Sequence, residues 1–314
     1  MYELKTATRV IYFIYPVVAL IGLIFNVLSF FIFSRKKFKN TVFWIYFRFL
    51  IIFDCLTQFL PVNRFLELGL DIKIRNISNF LCKFRFYYVY SIFPVSGWTL
   101  AFVSIDRFVS ITFPNRFTIR KTVSFQIFIC IIIMTFNLIY YSPNLFFYLD
   151  EFKQFDNDTN RTVAIHKCND PGIPLELMHL IGSTLAPFIT MILFTTFTLI
   201  SIFNMRKTTS TSHQQKKSRS KDKRFAFITI SLNFVFLAFN IPYGIFANIS
   251  DFFEKSDLID LIMSICLLLI YANFSTTFFI NFLVNSMFSN EFKTIFFKRT
   301  TVKKLNAKST MTIY

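Results

Sequence analysis

The chain has 314 residues, 54% of them hydrophobic, a formal net charge of +17 and a mean hydropathy of +0.52. That is too apolar for a surface in water and points to a membrane; because the cations sit in short gaps between apolar runs, the charge is not a nucleic-acid-binding stripe. The 5 Cys residues, with no CxxC pair and no His at ligand spacing, indicate neither a zinc site nor a disulfide scaffold.

A helix needs about 20 apolar residues to cross a hydrocarbon core about 30 Å thick, and only internally hydrogen-bonded backbone is tolerated there. Seven stretches reach that length. The first, Val10 to Phe33, follows a segment 1–9; it is too long for a removable signal peptide and lacks a small-residue cleavage site, so it reads as an uncleaved anchor with Met1 kept. It carries Gly22 and Asn26, and is followed by Arg35, Lys36, Lys37 and Lys39. The second, Phe43 to Val62, holds Arg48 and Asp54, and the gap after it holds Asn76 and Cys82. The third, Tyr87 to Phe113, ends in Asp106-Arg107-Phe108 with Pro114 beyond. The fourth, Val123 to Phe147, contains Pro143 and leads into a long gap with Asp150, Glu151, Asp156, Asn157, Asp158, Asn160 and Cys168. The fifth, Leu175 to Phe203, contains Pro187, and residues 204–224 after it read as a flexible basic loop that includes Asp222. The sixth, Phe225 to Ile249, contains Phe236, Asn240 and Pro242, and the seventh, Leu258 to Phe288, contains Asn281 and Asn285. In residues 289–314, Phe292, Ile295 and Phe296 continue a helical spacing from Phe288, opposite Lys293, Lys298 and Arg299. This predicts a short amphipathic helix on the inner membrane surface, and no Cys follows Cys266 to carry a palmitoyl chain.

The cations concentrate in the first, third and fifth gaps and in the tail, so the predicted bundle has its N-terminus outside. Asn76, Asn157 and Asn160 each open an Asn-X-Ser/Thr triplet in a gap assigned to the outside, where glycosylation takes place. Cys82 and Cys168 are the two cysteines in such gaps, and they read either as a disulfide closing the mouth of the bundle or as two free thiols. Arg107 follows Cys82 by 25 residues, about 37 Å of helix. One tilted helix therefore reaches from the outer cysteine to an arginine at the inner side. A charged pair at membrane depth marks a functional site, or else it snorkels to the interface.

Asp106-Arg107-Phe108 at that distance from Cys82 resembles the Asp-Arg-Tyr motif of rhodopsin-like G-protein-coupled receptors. Asn26 resembles the helix-one Gly-Asn-Val asparagine, and Asp54 the helix-two aspartate. Pro143 and Pro187 resemble the prolines of helices four and five, and Phe236, Asn240 and Pro242 occupy the Phe-x-x-x-Trp-x-Pro pattern. Asn281 to Asn285 stands where the family has Asn-Pro-x-x-Tyr, and Phe292-Lys293 resembles the Phe-Arg of helix eight. The likeness covers nearly the whole chain. Asn240 replaces the usual Trp, Phe282 the Pro, Asn285 the Tyr, and helix four has no Trp.

The resemblance implies an all-α seven-helix receptor in the plasma membrane, with no enzymatic activity, that responds to an extracellular ligand and activates a heterotrimeric G protein. It places Asn26, Ser96 and Asn281 around Asp54, as a hydrogen-bonded network or as a site for a sodium ion. It sets Asp222 opposite Arg107, as a latch between helices three and six or as a solvated residue in a basic loop, and makes Pro187 and Pro242 kinks about which helices swing. No Lys lies between Leu258 and Phe288 to hold retinal, and Val89 stands where amine receptors have Asp. A neutral or a peptide ligand remains, and the acidic loop around Asp150 to Asp158 reads either as an attractor for a basic peptide or as a solvated loop. Thr208 to Ser212 and the tail hydroxyls are candidate phosphorylation sites for arrestin recruitment. Rival readings are a small-molecule chemosensory receptor, a transporter or channel, and an intramembrane enzyme. The chain shows no paired broken halves, no filter repeat and no nucleophile–base or metal constellation within the spans.

Overall fold

The computed structural model describes residues 2–39, 44–113, 119, 122–156, 161–169, 175–207, 213–249, 253 and 256–296. Among these are 7 helices long and apolar enough to cross a membrane. They are α1 (Tyr2–Phe33), α2 (Trp44–Gly69), α3 (Asn79–Thr112), α4 (Val123–Tyr140), α5 (Leu175–Asn204), α6 (His213–Ile249) and α7 (Asp257–Val284); a shorter α8 (Ser286–Phe296) follows.

Several helices outrun the apolar stretches that announce them, for local reasons. α3 starts at Asn79 because the Ser78 hydroxyl accepts from the Leu81 amide, capping an end that would otherwise leave amides unpaired. Lys83 and Arg85 therefore lie inside the helix. The last turn of α2, Phe65–Gly69, is a π-turn whose Glu67 is held by arginines, so the helix continues past Val62. α6 extends back to His213, which makes the second half of the stretch read as a loop part of helix six. Thr122 and Ser256 cap α4 and α7 in the same way as Ser78.

Exposure is inverted relative to a protein in water. Leu283, Phe234 and Ile139 are 80%, 72% and 68% exposed, whereas Asn26, Asp54 and Arg107 are buried to 0%, 2% and 1%. Apolar groups that would be costly in water face lipid at little cost, while polar groups collect inside. α3 runs through the middle and touches α2, α4, α5 and α6; α1 packs on α2 and α7. A Cβ on Gly22 would stand 2.3 Å from Gln58 Nε2 and from Ser275 Oγ, so a larger residue here would have to displace those side chains from their places between α1, α2 and α7.

Between α4 and α5 the chain forms an antiparallel hairpin, β1 (Tyr148–Asp156) and β2 (Arg161–Asn169), with Leu149 opposite Cys168. The sequence reading gave this loop no strands. Asn157 and Asn160 lie outside the described residues.

Candidate functional site

The mouth of the bundle is closed by a disulfide between Cys82 and Cys168, whose Cα atoms are 5.7 Å apart. Two asparagines beside the start of α3 reinforce it. Asn76 Oδ1 accepts from the Cys168 amide at 3.3 Å, and Asn79 Oδ1 from the Leu149 amide at 3.3 Å. Because Leu149 and Cys168 face each other in the hairpin, one rung of the ladder is tied to α3 on both strands. Phe86 stacks on Phe147 at 4.1 Å below it.

Inward from the lid lies a cavity of about 130 Å³ bounded by α2, α3, α5, α6 and α7. For scale, an apolar cavity of about 150 Å³ holds one benzene ring. Asn63, Arg64, Arg85, Tyr90, Ser183, Thr184, Asn240, Tyr243 and Tyr271 supply its polar wall. Val89 lines it too, and no carboxylate does among the described residues. Of the helix-six residues singled out from the sequence, Asn240 faces this cavity, and its Nδ2 donates to the Phe236 carbonyl at 2.7 Å. The Phe236 ring packs edge-on against Phe188, the residue after Pro187. A Cβ on Gly97 would lie 3.2 Å from Phe236 Cζ and 3.7 Å from Pro187 Cβ, so α3, α5 and α6 meet here with almost no spare room. The π-turn Leu180–Leu185 precedes Pro187 and fits the loss of that residue's backbone donor. Pro242 sits inside α6 two residues beyond Asn240.

One layer deeper, Ser96 Oγ donates to Asp54 Oδ1 at 2.8 Å and Thr277 Oγ1 to Asp54 Oδ2 at 2.9 Å. Asp54 and Ser96 thus come together as the resemblance implied, but Asn26 and Asn281 do not join the carboxylate. Asn26 Nδ2 donates to the Phe274 carbonyl at 2.8 Å and Asn281 Nδ2 to the Thr277 carbonyl at 2.8 Å, so both tie to the α7 backbone instead. Thr277 was not foreseen, because the run Ser275-Thr276-Thr277 does not say which hydroxyl turns inward. Its place one turn before Asn281 is the hint that was available. Asp54, Ser96, Asn273, Thr276 and Thr277 also border a small gap. This oxygen-rich donor set fits a hard cation such as sodium, with Asp54 the charged partner and Ser96 and Thr277 the neutral ones.

At the far end of α3, Arg107 bonds Asp106 at 2.5 Å in a site where both are buried. Phe108 packs against Phe194 and Phe197 of α5, each at 5.7 Å between ring centroids. Asp222 belongs to α6, but its side chain lies outside the described residues, so the latch to Arg107 is not among the contacts seen. A different tie joins α6 to the junction of α7 and α8: Arg224 Nη2 donates to Asn285 Oδ1 at 3.4 Å. The same oxygen accepts from the amides of Met287 and Phe288 and so caps α8. Asn233 was also missed; its Nδ2 reaches Ser104 Oγ at 2.6 Å and Thr195 Oγ1 at 2.7 Å, joining α6 to α3 and α5.

Seven membrane-length helices with a lidded cavity at one end, a polar core and a buried Arg–Asp pair at the other have the architecture of a membrane receptor. The model of the 7 transmembrane receptor (rhodopsin family) matches residues 10–276, and the chain belongs to that family. It is therefore a G-protein-coupled receptor and a multi-pass membrane protein, of a kind that typically sits at the plasma membrane. No curated protein is detectably similar to it.

Proposed function

We propose that the chain lies with its N-terminus outside the cell, binds a peptide in the cavity under the hairpin, and on binding activates a heterotrimeric G protein. The observation that carries this reading is that α3 alone connects all the parts: it bears the disulfide, the cavity wall at Arg85 and Val89, Ser96 on Asp54, and Arg107. A ligand that differs in affinity between two arrangements of α3 and α6 shifts their populations. The active arrangement has α6 swung outward about Pro242, the Arg224–Asn285 contact broken, Arg107 released and a cleft open to the G protein. Asp222 then closes on Arg107 in the resting state. Asp54, with Ser96 and Thr277, would hold a sodium ion, which would supply positive charge to the resting core. Phosphorylation of Thr208 to Ser212 and of the tail recruits arrestin, and Asn76, Asn157 and Asn160 carry glycans.

A peptide is favoured over a buried small molecule because the cavity of about 130 Å³ is too small to take more than one end of a chain, and the hairpin offers the rest of it a surface to lie on. Nucleotide exchange in transfected cells, measured against a library of neuropeptides, tests the reading. At least one peptide is expected to drive exchange in the wild type and to lose that effect in Arg107→Ala. Agonist-independent ion flux with no exchange would make the chain a channel.

A further inference from the structure

Glu67, at the end of α2 and 6% exposed, faces three guanidinium groups. Arg64 stands at 3.7 Å, Arg75 at 3.0 Å, and Arg85 closer still. Arg64 and Arg85 are also wall residues of the cavity, whose other polar members are neutral. One carboxylate with two oxygens cannot neutralise three cations, so the cluster holds surplus positive charge at the edge of a partly desolvated cavity. Such charge is unfavourable there without an anion, and a guanidinium fork matches a carboxylate in two parallel hydrogen bonds.

We propose that the cavity takes a carboxylate presented by the ligand, with Arg64 and Arg85 as its partners and Glu67 as the residue that positions them. The proposal rests on this cavity being the ligand site, and it names the ligand's chemistry there. It reverses the sign expected from the acids of the lid. Asp150 is already engaged by Asn169 Nδ2 at 3.1 Å, and no described hairpin residue reaches the cavity wall. The carboxylate comes either from a free peptide C-terminus or from an acidic side chain, and the two are separable.

The test uses the purified full chain in lipid nanodiscs and four acetylated dipeptide probes. One is Phe-Phe with a free C-terminal carboxylate and another is its C-terminal amide. The other two are the amides with Asp or Arg in place of the first Phe. The free acid or the Asp probe is expected to bind at least about tenfold more tightly than the neutral amide, and the Arg probe least tightly. Whichever of the two acids binds better identifies the source. Arg64→Gln and Arg85→Gln should each weaken the acid probe about tenfold and leave the neutral amide unchanged. Glu67→Gln keeps every arginine and removes the competing carboxylate, so it should tighten the acid probe about threefold. If Arg85→Gln does not fold, the other two variants decide. Equal binding of neutral or cationic probes, no binding by any probe, or acid affinity unchanged in the variants overturns the proposal. Acid binding without nucleotide exchange would instead remove the signalling role and leave the charge preference intact.

Discussion

A methyl group added at Gly22 would have to displace Gln58 and Ser275, which both stand 2.3 Å from where it would sit. Gly22→Ala is therefore expected to push α1 away from α2 and α7 and to cost about 1–3 kcal/mol, read as a lowered thermal midpoint in detergent. An unchanged midpoint would mean that the two side chains turn aside freely. The Asp54 carboxylate gives a sharper case, since each of its oxygens has one hydroxyl donor. Thr277→Val keeps the shape and removes the donor to Oδ2, at an expected cost of about 1–3 kcal/mol in the same assay. Asp54 was readable in the sequence as a mid-helix acid that demands a partner, and Ser96 was named as that partner only through the family resemblance. Asn26 and Asn281 were readable as polar but not as to what they bond, since an amide satisfies itself equally well on a carboxylate, on a neighbouring helix's carbonyl as Asn26 does, or on its own helix's carbonyl as Asn281 does. Glu67 with its arginines went unread because their positions fall past the apolar run, where charge looks like loop.

At the scale of elements, two ties invite removal. Cys82→Ser and Cys168→Ser should lose ligand binding to the same degree, and the double variant should lose no more, because each single change already frees the hairpin from α3. A cost of about 2–4 kcal/mol in stability accompanies it. Asn285→Ala strips the cap of α8 and the acceptor for Arg224 together. It is expected to cost about 1 kcal/mol and to raise ligand-independent nucleotide exchange, and Arg224→Ala should raise exchange without the loss at α8. Exchange unchanged in both would show that this contact does not restrain α6. Helix existence was legible throughout, because a predominantly apolar run of about 20 residues can cross lipid only with its backbone bonded within the segment. Helix ends were not, since they depend on single capping side chains such as Ser78 and on ion pairs such as Arg85–Glu67 that an apolar count passes over. The hairpin was illegible for a related reason: its position is set by the disulfide and the Asn76 and Asn79 side chains from another part of the chain.

For the whole molecule, the sequence distribution of Lys and Arg predicts opposite sides for the two ends, so an N-terminal epitope tag should be labelled on intact cells and a tag after Tyr314 only after permeabilisation. Labelling of both on intact cells would reverse the topology on which the signalling proposal stands. At the Arg107 end, Glu291 of α8 is 3% exposed and pairs with Arg35 at 3.5 Å and with Lys37. These contacts run from the last helix to the turn after the first, so α8 is fastened to its own chain. Removing the lipid should accordingly leave these pairs in place, and because Glu291 is buried, concentrated salt should weaken them less than it would a pair exposed on both sides.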